Sequence, residues 1–367
     1  MERIVLIAGL LVFFTLSSAQ NNPTTPADLI DPALSEIQNQ FLNNQAEALL
    51  NQANEVFSKS PPGWPEPAAR HSALLLLDGV LHDVYAPLRP PVQIFLKARL
   101  KKAVDEIEQT EIINGARIWK LYNHGFLIRT RSVTIGFDLI SMKSAGIEGF
   151  SIEEDVISRL IDQCDVLFIS HRHGDHAEEW IAQSFIDQGK PVVAPPEVWQ
   201  DKSIHEQITH LEREPHTVQE LPIQGGLQKL GVVVYPGHQG EDIQNNVHLV
   251  ITPEGLAFSQ MGDQSNSDDF EWIDKVNKNH SVDVLLPNCW TTDIVRVARG
   301  FNPALIITGH ENEMGHTIDH REPYWLTYQR REGSDRFGGS SDIGYDHPLI
   351  LMTWGESYHY KKETFSK

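Results

Sequence analysis

Six consecutive residues, His171-Arg172-His173-Gly174-Asp175-His176, carry four side chains of the kind that bind metal ions. Imidazole and carboxylate together suit zinc, and also iron or manganese. The run before them, Asp165-Val166-Leu167-Phe168-Ile169-Ser170, is apolar and β-prone. It reads as a buried strand that delivers the four groups at its carboxyl end. In extended backbone side chains alternate, so His171 and His173 face the same way and are able to share one ion. Gly174 permits a sharp turn. Beyond it Asp175 and His176 aim at a neighbouring position, and a helix begins near Ala177. A polar strand-to-helix turn with surface histidines is the alternative, and it leaves four ligand types in so short a run unexplained.

Three further stretches end a β-rich run in a ligand-type residue. Gly231-Val232-Val233-Val234-Tyr235-Pro236-Gly237 leads to His238. The run Leu256–Gln260, closing a hairpin through Pro253-Glu254-Gly255, leads through Met261-Gly262 to Asp263. Ala304-Leu305-Ile306-Ile307-Thr308-Gly309 leads to His310. A single histidine at a strand end is commonly structural. Several at the carboxyl ends of successive strands stand where layered α/β folds place their ligands. His316 and His320 compete with His310 but follow no strand; with Arg321 beside them they suit a pocket rim.

The HxHxDH spacing, followed by His238, Asp263 and His310 in that order, resembles the metallo-β-lactamase superfamily over roughly residues 115–360. The resemblance implies an αββα sandwich, two mixed sheets face to face with helices outside and metals at one edge. It implies that His171, His173 and His238 hold one divalent ion, that Asp175, His176 and His310 hold a second, and that Asp263 bridges them. Zinc is the expected metal, with Mn2+ or Fe2+ as alternatives, at a separation of about 3.5–4 Å. A water between two such ions loses its proton near neutral pH and attacks a carbonyl or phosphoryl centre, with Asp175 orienting it or taking its proton. Members hydrolyse β-lactams, lactones, thioesters and phosphodiesters, and some are oxidoreductases, so the fold does not choose the reaction. An aspartate rather than a cysteine at the bridging place favours a hydrolase of the lactonase or phosphodiesterase kind. In the same comparison Asp138, ending the run Val133–Asp138, supports a ligand through a hydrogen bond, or is a simple turn residue. His124 resembles a histidine of the ascorbate-phosphate-lactonase-like branch. Two readings from other classes stand beside the enzyme: a zinc-binding protein without turnover, and a secreted interaction protein.

Composition narrows the partners. The chain has 367 residues, 40% hydrophobic and 22% charged, with a net charge of −20. That charge repels a phosphate backbone and argues against nucleic acid as a partner, leaving a small-molecule substrate. Arg3, the apolar run Ile4–Leu16 and the small residues Ser17-Ser18-Ala19 read as a cleaved secretory signal over residues 1–19, hence export to the periplasm or beyond. The run is too short to span a bilayer, so no stable membrane anchor is expected; Glu2 offsets Arg3, which keeps an uncleaved anchor as the alternative. Cys164 and Cys289 sit in apolar runs and read as buried free thiols.

Residues 20–110 read as a helical extension and 111–367 as the metal-binding domain. Helical spacing places one helix within 28–58, with Ile37, Phe41, Leu49, Ala53 and Val56 on its inward stripe. A second is expected over Pro67–Tyr85 with Leu74, Leu77 and Leu81 inward. A third is expected over Val92–Gln109 with Phe95, Ala103, Val104 and Ile107 inward. His71 and His82 are expected on helix surfaces, and His205, His210 and His216 in a solvated stretch.

Overall fold

The computed structural model describes residues 36–331 and 347–362. The expected signal over 1–19 and the start of the first expected helix lie outside them. Three helices come first: α1 (Glu36–Lys59), α2 (Ala68–Leu81) and α3 (Pro90–Gln109). The breaks fall where the prolines predict, at 60–67 and before Pro90. The inward residues expected on α2 and α3 are all buried. On α1 Ala53 is buried as expected and Leu49 and Val56 pack partly buried against the core, but the buried face is centred on Ala46, Leu50, Ala53 and Phe57, and Ile37 and Phe41 are 80% and 65% exposed. Both stripes satisfy the three-and-four spacing, and contact with α2 and α3 decides between them.

Two sheets follow. The first has the order β13-β1-β2-β3-β4-β5, built from β1 (Ala116–Lys120), β2 (Phe126–Arg129), β3 (Thr134–Phe137), β4 (Val166–Phe168), β5 (Val192–Val193) and β13 (Glu356–Tyr360). Helix α4 (Glu154–Gln163) precedes β4, and α5 (Glu179–Asp187) follows the central motif. The second sheet runs β12-β11-β10-β9-β8-β7-β6. Its members are β6 (Gln219–Ile223), β7 (Gln228–Gln239), β8 (Ile243–Ile251), β9 (Ala257–Gln260), β10 (Val284–Leu286), β11 (Leu305–Ile307) and β12 (Leu349–Ile350). Short helices α6 (Phe270–Ile273), α7 (Val276–Asn279), α8 (Ile294–Phe301) and α9 (Tyr324–Arg331) complete the described chain.

The period-two alternation of strand side chains sorts the core into layers. Ile118, Ile128, Phe137 and Phe168 from the first sheet meet Val232, Val250, Phe258 and Ile307 from the second. Their strand neighbours Trp119, Leu127, Leu167, Val233 and Leu249 face the helices instead. The architecture is the expected αββα sandwich.

The extension is integral to that sandwich. On α2, the guanidinium of Arg70 forks onto Glu356 and donates to the Leu351 carbonyl at 2.7 Å. On α3, Arg99 Nε donates to the Trp354 carbonyl at 2.6 Å. Asp78, also on α2, accepts the free N–H groups of Tyr324 and Trp325 at the start of α9, at 2.8 and 2.9 Å, and Asn312 Nδ2 at 3.0 Å. Burial raises the Asp78 carboxyl to about 6. It therefore favours the folded state most below about pH 4, and that contribution is lost as pH rises through 6.

Among the described residues no helix is long and apolar enough to cross a membrane. Cys164 and Cys289 are buried free thiols, as expected.

Candidate metal centre

Strand β4 ends at Phe168, two residues earlier than the motif suggested, and residues 171–176 form a turn instead of extended backbone. His173 O accepts from His176 N and Ala177 N at 3.0 and 2.9 Å. His171 and His173 converge all the same, with ring centroids 4.7 Å apart. The compact turn, not strand alternation, brings them together.

Among the described residues three groups of ligand atoms result, each with all its atoms within 4.8 Å of one another. One consists of Asp175, His176, Asp263 and His310 and a second of His171, His173 and Asp263; the third, His124, Asp138 and His176, adjoins the first through the His176 Nδ1 bond to Asp138. Asp263 belongs to the first two. Its Oδ1 lies 3.3 Å from His176 Nε2 and 3.5 Å from His310 Nε2, while its Oδ2 lies 3.8 Å from His171 Nε2. Asp175 Oδ2 lies 3.4 and 3.5 Å from His176 and His310 Nε2. Two ligands on one tetrahedral zinc stand about 3.4 Å apart, given bonds of about 2.0–2.2 Å. The first group meets that spacing.

His238 is in none of the three groups. Its Nδ1 bonds Asp269 Oδ1 at 2.8 Å, and its backbone N–H bonds Asp269 Oδ2 at 2.9 Å. The next residue, Gln239, donates to Asp263 Oδ2 at 3.0 Å, so β7 does end at the centre.

The supporting hydrogen bonds set the histidine tautomers. Asp138 is buried and accepts from Ser170 N–H at 2.7 Å, Ser170 Oγ at 2.8 Å and His176 Nδ1 at 2.9 Å. Of the two readings of Asp138, the bond to His176 favours the supporting one over a simple turn residue. Ser170 spends its proton on Asp138, so His171 Nδ1, 3.0 Å away, donates to the hydroxyl. His238 Nδ1 likewise donates to Asp269. Nδ1 of these three histidines is thus committed as a donor, which leaves Nε2 as the nitrogen available to a ligand. The Nε2 atoms of His171, His176 and His310 are buried without a hydrogen-bond partner, as is Asp263 Oδ1. Unpartnered buried polar atoms are costly. Here they converge around two carboxylates, and a divalent cation is the partner that satisfies them together.

Charge points the same way. Burial drags the His171 imidazole down to about 3. Burial opposes charge on His310 too, yet Asp263 and Asp175 raise it to about 10. Burial likewise opposes charge on His176, which Asp263, Asp175 and Asp138 hold well above its ordinary value. Burial presses on both carboxylates as well, and these two imidazoles still hold Asp175 and Asp263 well below the usual carboxylate range. The pocket favours positive charge beside its carboxylates.

Two glycines are fixed by close approach. Gly262, before Asp263, has φ +52°, and a Cβ there would stand 2.4 Å from Ser170 Cβ. Gly309, before His310, leaves room for the His124 ring, which a Cβ would meet at 2.1 Å. His124 is buried beneath the centre, its ring 6.1 Å from that of His176.

At the rim, His316 Nε2 lies 4.0 Å from Asp175 Oδ2, and the half-buried Trp290 meets His310 edge-on at 5.5 Å. His320 is 73% exposed and pairs with Asp319; Arg321 is buried on the carbonyls of Leu81, Asp83 and His316. Neither lines the rim. Asp269, Gln239 and Asn123 escaped sequence reasoning. Asp269 follows Asp263 with no recognisable spacing. Asn123 carried a signal, an Asn-x-Gly turn after a strand, which announces a turn but not a role.

No family model and no curated protein matches the sequence. Among solved structures the chain is similar to Igni18, a novel metallo hydrolase from the hyperthermophilic archaeon Ignicoccus hospitalis KIN4/I. The TM-score is 0.50 and the identity 15%, over 68% of this chain and 100% of that one. It is also similar to isothiocyanate hydrolase from Delia radicum gut bacteria, with TM-score 0.47 and 11% identity over 67% and 99% of the two chains. CmlA, a diiron beta-hydroxylase from Streptomyces venezuelae, gives TM-score 0.45 and 12% identity over 72% and 63%. The first bears on the fold and the other two add nothing to it. The fold is the one this chain shares with that metallo hydrolase.

Proposed function

We propose that the chain is an exported, binuclear metal-dependent hydrolase. The observation that supports this reading best is the set of buried, unpartnered Nε2 atoms on His171, His176 and His310 facing Asp175 and Asp263. In this reading His171 and His173 hold one ion with Asp263, completed by His238 through its free Nε2. Asp175, His176 and His310 hold the other, with Asp263 common to both. Two divalent ions, zinc in the first instance, would supply Lewis acidity and a water of lowered pKa.

The protein residues do the rest. Asp138, Ser170 and Asp269 keep the imidazoles in the ligating tautomer. Asp175, on the exposed side of the centre, takes or directs the proton of the attacking water. His316 and Trp290 meet the substrate at the rim. The substrate class is a carbonyl or phosphoryl ester of the lactone or phosphodiester type. Metal-loaded protein assayed against lactones, phosphodiesters, phosphomonoesters and β-lactams is expected to turn over one of the first two. Two bound ions with no hydrolysis of any activated ester would favour the non-catalytic zinc-binding reading.

The two groups divide the labour. His173→Ala is expected to weaken one ion and Asp175→Ala the other, with cooperative unfolding kept in both, since each truncation lies at the mouth and opens no core cavity. Turnover should fall by several orders of magnitude in each, more steeply for Asp175→Ala. Metal content and turnover measured side by side check this. Near-normal turnover in Asp175→Ala at full metal content would contradict it.

A further inference from the structure

Asn123 is buried and left-handed, with φ +53°. It occupies the turn between β1 and β2, which Gly125 N–H closes onto Tyr122 O at 2.9 Å. Glycine takes such a conformation without strain; asparagine tolerates it and adds a side chain. That side chain leaves the turn. Its Nδ2 donates to Asp175 Oδ2 at 3.1 Å and to the Asp175 carbonyl at 3.0 Å. Both partners are acceptors, which fixes the amide orientation. The Asn123 carbonyl accepts the His310 N–H at 3.1 Å. His310 is itself left-handed, φ +73°, a conformation uncommon outside glycine that asparagine and histidine enter more readily than most.

One residue therefore fastens two chain segments that are remote in sequence and that bring ligands to the same ion. Asp175 leaves its turn 21% exposed and would otherwise choose among rotamers. Its Oδ2 has two lone-pair directions. The Asn123 amide occupies one, and the other faces His176 and His310. Among the described residues no hydrogen bond joins Asn123 to His171 or His173.

We propose that Asn123 is a positioning residue for one ion of the pair, the one held by Asp175, His176, Asp263 and His310. The proposal rests on the two-ion reading above. Asn123→Gly keeps the left-handed backbone and the carbonyl bond to His310, and loses the clamp on Asp175. Asn123→Asp keeps the side-chain size and sets a carboxylate against Asp175.

The test titrates metal-free protein with Zn2+ against a chromophoric chelator, resolving two affinities. Asn123→Gly is expected to weaken one of them about tenfold or more and leave the other within about twofold. Asn123→Asp should weaken the same one further. In a His173→Ala background the remaining affinity should show the whole Asn123→Gly effect. In an Asp175→Ala background Asn123→Gly should add nothing. Equal weakening of both affinities, no weakening, or an additional loss without Asp175 overturns the assignment. A wild-type chain that takes up no ion overturns the two-ion reading and this assignment with it. Two ions bound equally well by wild type and Asn123→Gly overturn this assignment and leave the two-ion reading standing.

Discussion

Asp263→Ala is expected to empty both metal positions and to lower turnover by at least about 10⁴-fold. No other single truncation should do both. Asp263 is the one carboxylate common to the two ligand groups, one oxygen facing His176 and His310 and the other facing His171. Its removal takes away the carboxylate that faces His171 and one of the two that face His176 and His310, so less negative charge offsets the repulsion between two divalent ions. The backbone should hold, because the Asp263 N–H stays on Asn245 Oδ1 and Gly262 keeps its place against Ser170. Metal content, turnover and a cooperative thermal transition are the three readings. Retention of two ions by Asp263→Ala would contradict the bridging role.

The second large effect is expected from removing the extension. The fragment 111–367 should be insoluble or unfolded. Glu356 would lose the Arg70 fork and the Arg99 guanidinium 3.7 Å away, keeping the Thr353 N–H at 2.9 Å. The apolar side chains that the helices cover would meet water, in a domain whose whole stability is about 5–15 kcal/mol. Trp354, fully buried, would also lose Phe95 at 6.4 Å, and α9 would lose the Asp78 carboxylate at its first turn. The check is expression of the fragment beside the full chain, followed by thermal unfolding and turnover. A soluble fragment of equal stability and activity would contradict the packing described here.

Local pattern accounts for most of what the sequence revealed. The runs ending at His171, Asp263 and His310 announced themselves because an apolar stretch, a tight turn and a ligand type coincide within a few residues. Asp138 was legible for the same reason. The supporting partners were not. Asp269 holds His238 across a loop, and Asn123 reaches Asp175 across 52 positions; such pairings exist through the fold and leave no periodicity. Long-range closure was equally hidden. β13 pairs with β1 in the register Ala116↔Tyr360, a match no local pattern encodes. On α1 part of the stripe was misplaced by one residue, because Leu49 and Leu50, and Val56 and Phe57, offer adjacent apolar choices that contact with α2 and α3 resolves.

The central claim is that the buried imidazole and carboxylate cluster is a binuclear metal site. Elemental analysis of protein purified without chelator tests it most directly. The account predicts about two transition-metal ions per chain, zinc foremost, lost on dialysis against a strong chelator and regained on resupply. Clean, folded protein that binds no transition metal even when supplied with it would contradict the account.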